Sequence, residues 1–503
     1  MDVLLKTFPY KYMAYEKELM YRELHTFFRD PCFIDMKGDV LVKNVDEEQI
    51  PLLDRLTYFM TYEFKDQHRR TLQAKLEDCN ANDYTSKRQH TRYSTNGIHE
   101  YKGKFNPQIV HSIVNILGIS SDMNIIDPFC GSGTTILECQ HMGISSVGVD
   151  INPFAVFVSN VKTDSLLMDV NYVNKVLLEL CELSNKANSI TNDKYDARIE
   201  YLLKWIPVDT LTQMESIKNA LDHEPPMVSN FLLVMISDLI RDYSYQEPSD
   251  LRIRRRFSSF PEMNFIDALK AKALKQLQLI STLQESSGYI KKTSIAINCD
   301  IRRGNTQLDK YQFDAAITSP PYATALPYID TQRLSLVWLG FCPPSEITKL
   351  ESTLIGSRDI YNGDKKHWLD AMSFNSNDLP NEIMDMLYDM QESLSSSDGF
   401  RKQAMPTLLY RYFSDMKAMF MRMADLVKEN GYYAMVVGHN KTTLGGKTFD
   451  IDTPRLLGII SSNVGWSAEE ELPLQTYKRY GLNSKNSINC ETLLLLRNRR
   501  GIE

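Results

Sequence analysis

No C-x-x-C pair occurs anywhere in this 503-residue chain. Its eight cysteines stand apart, at Cys32, Cys79, Cys130, Cys139, Cys181, Cys299, Cys342 and Cys490. That spacing argues against a zinc knuckle and against a disulfide framework, and reduced thiols with no metal centre are expected. A span-length apolar run is missing too. The best candidate, residues 231–240, is short and broken by Ser237 and Asp238. The N-terminal stretch alternates charge with apolar side chains and lacks a signal peptide's apolar block. A cytoplasmic protein with no membrane partner is the expectation. Positive charge is not in excess either. A net charge of −7 and a pI near 5.8 exclude a globally basic polyanion binder. They leave room for a local basic footprint, which is all that phosphate contacts need.

Apolar residues make up 43% of the chain, enough for a large core and more than one domain. Residues 1–88 read as a small α+β region, with a helix at 15–28, a strand pair over 32–42 and a second helix at 52–64. Residues 89–163 change texture: a strand at 123–127, a Gly-rich turn, a helix to about 141, a strand at 145–150 and a helix opening at Pro153. Strand, turn, helix and strand at this spacing predict a parallel, doubly wound α/β sheet. The alternation stops over 164–290, which is helical in pattern and reads as an insertion into that sheet. It resumes over 291–503 with strands at 294–300 and 313–318, an irregular insertion at 323–405 containing the Ser-rich stretch SLSSSDGF, a long helix at 407–428, and later strands at 432–438, 469–474 and 491–496. Basic residues cluster twice, as Lys87, Arg88, Arg92, Lys102 and Lys104, and as Arg252, Arg254, Arg255 and Arg256. The second cluster supplies candidate contacts to nucleic acid.

Two short strings carry chemistry. The first is Asp127-Pro128-Phe129-Cys130-Gly131-Ser132-Gly133-Thr134-Thr135, placed between a strand and a helix. Gly131 and Gly133 permit a tight turn and close approach of backbone to a ligand. Thr134 or Thr135 can cap the helix whose N–H groups face the cleft. Asp150, at the end of the next strand, is placed to accept hydrogen bonds from both ribose hydroxyls of a nucleoside cofactor. The G-x-G-x-x-G spacing that cradles a pyrophosphate is absent, so NAD is disfavoured and an adenosyl cofactor without a pyrophosphate fits better. Asp300 ends a later strand, where it can accept from an adenine amino group.

The second string is Ser319-Pro320-Pro321-Tyr322, which follows the apolar strand Phe313 to Thr318. Two prolines stop the strand ladder and stiffen the turn. Lacking N–H groups, they present carbonyl acceptors without competing donors. An exocyclic base amine needs such acceptors. Hydrogen bonds to the Ser319 hydroxyl oxygen and the Pro320 carbonyl would localise its lone pair for in-line attack on a sulfonium methyl, a matter of positioning and electrostatics. Tyr322 offers an aromatic face to the base. Since a stacked base cannot reach a buried methyl group, extrusion from the duplex is implied.

Together, DPFCGSGTT, Asp150 and TSPPY resemble the amino-group DNA methyltransferases, which make N4-methylcytosine or N6-methyladenine. The segment His99 to Phe105 resembles the motif that closes over the cofactor's methionine end in that family. By this resemblance Tyr101, Lys104, Phe105, Asp127, Pro128, Phe129, Gly131, Gly133, Thr134, Asp150 and Asp300 are expected at an S-adenosylmethionine site, and Ser319, Pro320, Pro321 and Tyr322 at the catalytic centre. It implies a Rossmann-like methyltransferase sheet with the large helical insertion and the small N-terminal region described above. It also implies double-stranded DNA as substrate, with cytosine N4 as the target of an SPPY enzyme, and a cognate restriction endonuclease as a candidate partner. Three other readings stay open: an adenine-N6 enzyme, an RNA base methyltransferase (residues 1–85 faintly resemble the front of some transfer-RNA guanine methyltransferases) and a silent scaffold that keeps the cleft.

Overall fold

The computed structural model describes residues 1–28, 32–36, 38–78, 89–184, 196–287, 293–323, 327–360, 364–475 and 490–500. Lys87, Arg88 and Cys79 of the sequence reading lie outside them. In chain order the strands are β1 (Val3–Thr7), β2 (Cys32–Met36), β3 (Asp39–Lys43), β4 (Phe59–Phe64), β5 (Gln67–Arg70), β6 (Asn124–Asp127), β7 (Ser145–Asp150), β8 (Ser294–Asn298), β9 (Phe313–Thr318), β10 (Val427–Gly438), β11 (Asn440–Leu444), β12 (Lys447–Ile451), β13 (Trp466–Gln475) and β14 (Cys490–Asn498).

Apolar residues with a period of two give the central sheet two buried faces. Ile125, Ala315, Ile317, Ala434 and Val436 enter one core, while their neighbours Ile126, Ala316, Met435 and Val437 enter the other. The sheet has the order β13-β14-β10-β9-β6-β7-β8. From β10 to β8 its strands are parallel, whereas β14 runs antiparallel to β10 and β13 antiparallel to β14. The chain winds outward from β6 through β7 and β8, then crosses back to lay β9 on the other side of β6. This is the expected doubly wound α/β architecture, and the reversal makes β6 and β9 its topological switch point, where such sheets open a crevice. Ile125 and Ile126 pair in parallel with Ala315 and Ala316. The glycine turn after β6 and the proline turn after β9 therefore emerge side by side.

The flanking layers fix how this crevice is walled. Helices Val170–Ser184, Ala197–Leu203, Val208–Ala220, Pro226–Leu239 and Phe265–Ser287 occupy the middle block. They share a core with Pro153–Ser165 and Tyr328–Leu339 through residues such as Phe154, Leu177, Phe231 and Trp338. The N-terminal strands form an antiparallel sheet, β2-β3-β1-β4-β5. Val3, Leu5, Leu19 and Leu24 belong to the same core as Ile125 and Val436, so this region covers one face of the main sheet. The buried Glu23 carboxylate fastens it, accepting from the Thr57 N–H at 2.9 Å and Asn115 Nδ2 at 3.3 Å.

Two expectations are corrected. Residues 52–64 are not a helix: a short helix, Ile50–Leu53, gives way to β4. Leu52, Leu53 and Leu56 mimic a helical face, but the aromatic and β-branched run Thr57 to Tyr62 suits a pleated surface and prevails. The stretch 323–405 is not irregular but largely helical, with Tyr328–Leu339, Ile347–Thr353, Asp364–Ser373, Asn381–Glu392 and Phe400–Gln403. Its Ser-rich loop is ordered by Asp398, whose carboxylate accepts from the N–H groups of Ser395 and Gly445. Among the described residues no helix is long and apolar enough to cross a membrane.

One buried side chain holds the far end of the sheet. Asn498 Nδ2 donates to the carbonyls of Ala424, Val427 and Lys428 at 3.1, 2.8 and 3.4 Å, joining the end of Met405–Leu426 to the start of β10. Asn498→Ala would orphan these buried acceptors. We expect a loss of about 1–3 kcal/mol, read as a lowered urea midpoint with unchanged slope.

Candidate active site

Backbone geometry explains the first turn. Gly131 and Gly133 take left-handed φ values of 50° and 79°. At Gly133 a Cβ would also meet Ser159 at 2.8 Å, so only glycine lets the helix Thr134–His141 start this close to Pro153–Ser165. Beside it, one oxygen of the buried Asp127 carboxylate, Oδ1, accepts from the Phe129 N–H at 3.0 Å and from the Thr318 hydroxyl at 2.5 Å. A single atom thus ties the cofactor turn to the last residue of β9. Burial raises the Asp127 pKa to about 6 against these hydrogen bonds.

Around the two turns lies one cavity of about 680 Å³, its open mouth included. Tyr101, Pro128, Phe129, Gly131, Asp150 and Asp300 line it on the side expected for a cofactor, and Ser319 and Pro321 on the side expected for catalysis. Asp150 accepts from the N–H groups of Gly131 at 3.0 Å and Asn152 at 2.8 Å. Its pKa is raised to about 6, burial outweighing those bonds. Asp300 is clasped by Arg302, which bonds Oδ1 through its backbone N–H and Nε and Oδ2 through its terminal nitrogen at 2.8 Å. Burial opposes the Asp300 charge, but Arg302 more than offsets it and holds the carboxyl below its ordinary range. Arg302 reaches on to Asp415 at 2.7 Å and to the Thr353 carbonyl at 2.8 Å.

Several expected residues do not line the cavity. Asp127, Gly133 and Thr134 are buried behind the turn and shape it. Lys104 faces away: its ammonium donates to the Thr91 and Asn96 carbonyls, both at 3.0 Å, and burial lowers its pKa to about 7. Phe105 packs into the N-terminal core. Gly103 takes the place at the wall that the sequence reading gave to these two. Pro320 is buried, and the Tyr322 hydroxyl is bonded to Glu491. The sequence reading missed Asn152, Tyr328 and the strip Thr353 to Ile355, all cavity-lining. Asn152 had a readable signal, Asn-Pro at a helix start; its side-chain oxygen accepts from the Phe154 N–H while its Nδ2 donates to Gln332 at 2.7 Å. Nothing local marked Thr353 to Ile355, which only the chain's return brings there.

The four arginines divide. Arg256 is structural, donating to the carbonyls of Ser244, Ser259, Arg241 and Asp242. Arg255 stacks on Trp205, 4.4 Å from its centroid, and donates to the Lys204 carbonyl. Arg254 is exposed, in a surface pair with Asp250 at 3.2 Å, and Arg252 is half-buried. The Ile253 N–H between them donates to Asp330 at 3.1 Å, which brings this loop beside the helix that follows the proline turn.

A family model described as a DNA methylase matches residues 21–160. The Type II methyltransferase M.AvaI of Nostoc is 22% identical to the chain, over 89% of this chain and 92% of its own. These similarities support the amino-group DNA methyltransferase family for this chain. M.MvaI of Kocuria varians is 24% identical over 53% of this chain and 63% of its own. M.MjaII of Methanocaldococcus jannaschii is 35% identical over 26% of this chain, which spans about a quarter of it. The family match begins at residue 21, so most of the N-terminal region lies within the methylase model.

S-adenosylmethionine is the methyl donor of this family, and the residues present fit it. The cavity size suits a small molecule, its walls are largely apolar, and carboxylates end both β7 and the turn after β8. Asp150 stands at the first of these ends and its charged form is the better acceptor for ribose hydroxyls. Asp150→Ala should weaken cofactor binding by about 2 kcal/mol in calorimetry while leaving the fold intact. The raised pKa sets the sign of a pH effect: below about 6 Asp150 takes up a proton and loses acceptor strength. Cofactor affinity should therefore fall as pH drops from 7.5 to 5, and Asp150→Asn should flatten the profile. For the arginine loop, Arg254→Ala should leave the melting temperature unchanged and weaken DNA binding with a shallower salt dependence, whereas Arg256→Ala should lower the melting temperature.

Proposed function

We propose that this enzyme methylates the exocyclic N4 of cytosine in double-stranded DNA, on a base turned out of the helix. When bound, S-adenosylmethionine supplies an electrophilic methyl group. The observation that supports the reading is the state of Ser319. Its hydroxyl donates to the Val436 carbonyl at 3.2 Å, within the same cavity wall as Asp150 and Gly131. With its own hydrogen committed, the oxygen is left to accept, as an amine N–H requires. The Pro320 carbonyl, on a turn that offers no N–H of its own at 320 or 321, provides the second acceptor. These groups orient the amine and localise its lone pair; no strong base is needed.

Target reading falls to the helical insertion 164–290, with 323–405 as the second inserted segment. The Arg252 to Arg256 loop supports the first, because Asp330 holds it next to the catalytic side of the sheet. Residues 1–88, 89–163 and 291–503 then serve as a covering layer, the cofactor half and the catalytic half. A cognate restriction endonuclease recognising the same site, acting in the cytoplasm, completes the proposal.

Incubation of duplex DNA with methyl-labelled cofactor, followed by nucleoside analysis, should place the label in N4-methylcytosine. Label in N6-methyladenine would overturn the choice of base, and label confined to RNA in a parallel incubation would overturn the choice of DNA. Ser319→Ala should lower turnover by roughly a hundredfold with cofactor affinity near wild type.

A further inference from the structure

Tyr322 is held from three sides. Its hydroxyl donates to Glu491 Oε1 at 2.5 Å. Its ring lies against Gly438, where a Cβ would come within 2.8 Å of Cε2 and 3.1 Å of Cζ. Its carbonyl oxygen lies against Gly356, where a Cβ would come within 2.5 Å. The sheet places two of these contacts together: Gly438, the last residue of β10, is paired with Glu491 near the start of β14. The neighbours continue the clasp. His439 meets the Thr492 hydroxyl at 3.1 Å, and Asn440 Nδ2 donates to the Ala323 carbonyl at 3.2 Å. Among the described residues, the ring of the catalytic tetrapeptide is thus oriented by an antiparallel strand that contributes nothing to the cofactor cavity.

Half-buried against the sheet, the phenol still needs an acceptor for its hydroxyl, and a carboxylate can only accept. Burial, and then the Glu491 charge, push the Tyr322 pKa well up, so the phenol keeps its proton and the bond keeps one direction. Without this partner, the ring could turn about its side-chain bonds while remaining in place along the chain.

We propose that Glu491 is a positioning residue for the methyl transfer, fixing the Tyr322 ring in the pose that the extruded base meets. The inference rests on the base-methylating reading above. It assigns to β14 a share in the target pocket, whereas the cofactor pocket is built wholly from other elements. Glu491 acts through Tyr322 and leaves the bound cofactor untouched.

The test is a double-mutant cycle on the full chain, with kcat, KM for duplex DNA and cofactor affinity measured for each variant. Glu491→Ala and Tyr322→Phe should each lower kcat/KM for DNA by roughly ten- to a hundredfold. Both should leave cofactor affinity at the wild-type value. Glu491→Gln, which still accepts the phenol's hydrogen, should recover most of the loss, and the double variant should be no worse than the poorer single one. Full activity in Glu491→Ala, or losses that multiply in the double variant, would overturn the inference while cytosine methylation by the wild type still stood. A loss of cofactor affinity equal to the loss of turnover would overturn it as well, showing a merely structural role. If the wild type instead labels adenine or RNA, the base assignment falls, and the same cycle on that substrate still decides the role of Glu491.

Discussion

One carboxylate oxygen carries the architecture of this site. Asp127 Oδ1 takes a hydrogen bond from the Phe129 N–H inside the glycine turn and another from the Thr318 hydroxyl at the threshold of the proline turn. The two donors are 189 residues apart in the chain, one in the turn after β6 and the other at the end of the neighbouring β9. Such a bond has value only in one register. A slip of one residue between β6 and β9 would turn Thr318 to the other face and leave a buried charge with half its partners. The sheet therefore cannot form properly without also bringing the glycine turn and the proline turn side by side.

From that point the walls follow. Arg302, held by Asp300 and Asp415, reaches the Thr353 carbonyl and so draws a segment from a distant helix to the cavity. Three residues further on, Gly356 permits the Tyr322 carbonyl to approach, and Arg411 donates to the Ser357 and Asp359 carbonyls just beyond. On the opposite side, the loop bearing Tyr101 is pinned to the insertion: the Glu100 N–H donates to Asp238 at 2.6 Å, and Asp238 is paired with Lys272 of the next helix. The insertion thus lies behind the loop that walls the cavity, as well as beside the helix Tyr328–Leu339.

The legible part of the fold was the part dictated locally. Strand, glycine turn and helix around Asp127, the acidic end of β7 and the proline stop after β9 are each fixed by a few adjacent residues, and the structure has them where the sequence put them. The misreadings share one cause, which is that a side chain's partner is not written beside it. Lys104 sits in a motif that points to the cofactor, yet two carbonyls upstream claim its ammonium. Residues 52–56 show a leucine spacing that suits a helix, but the helix stops at Leu53 and the run from Phe59 pairs with β1 as β4. The strip Thr353 to Ile355 has no motif because its function is to be present at the end of a long path.

Charge shows the same limit and points to how a protein of net charge −7 can meet a polyanion. Counting arginines between 252 and 256 suggests a row of phosphate contacts. In the fold, Arg256 commits four of its five N–H donors to carbonyls and Arg255 is spent on Trp205 and Lys204. These two build the loop, and the loop presents the remainder. Their charge still contributes to the field, but a guanidinium committed to carbonyls has few hydrogens left for phosphate. Attraction over the whole surface is thus weak, since the acidic majority is screened only beyond about 10 Å. Arg256 thereby fixes the loop on which the exposed Arg254 is presented, in a chain that has no general excess of positive charge.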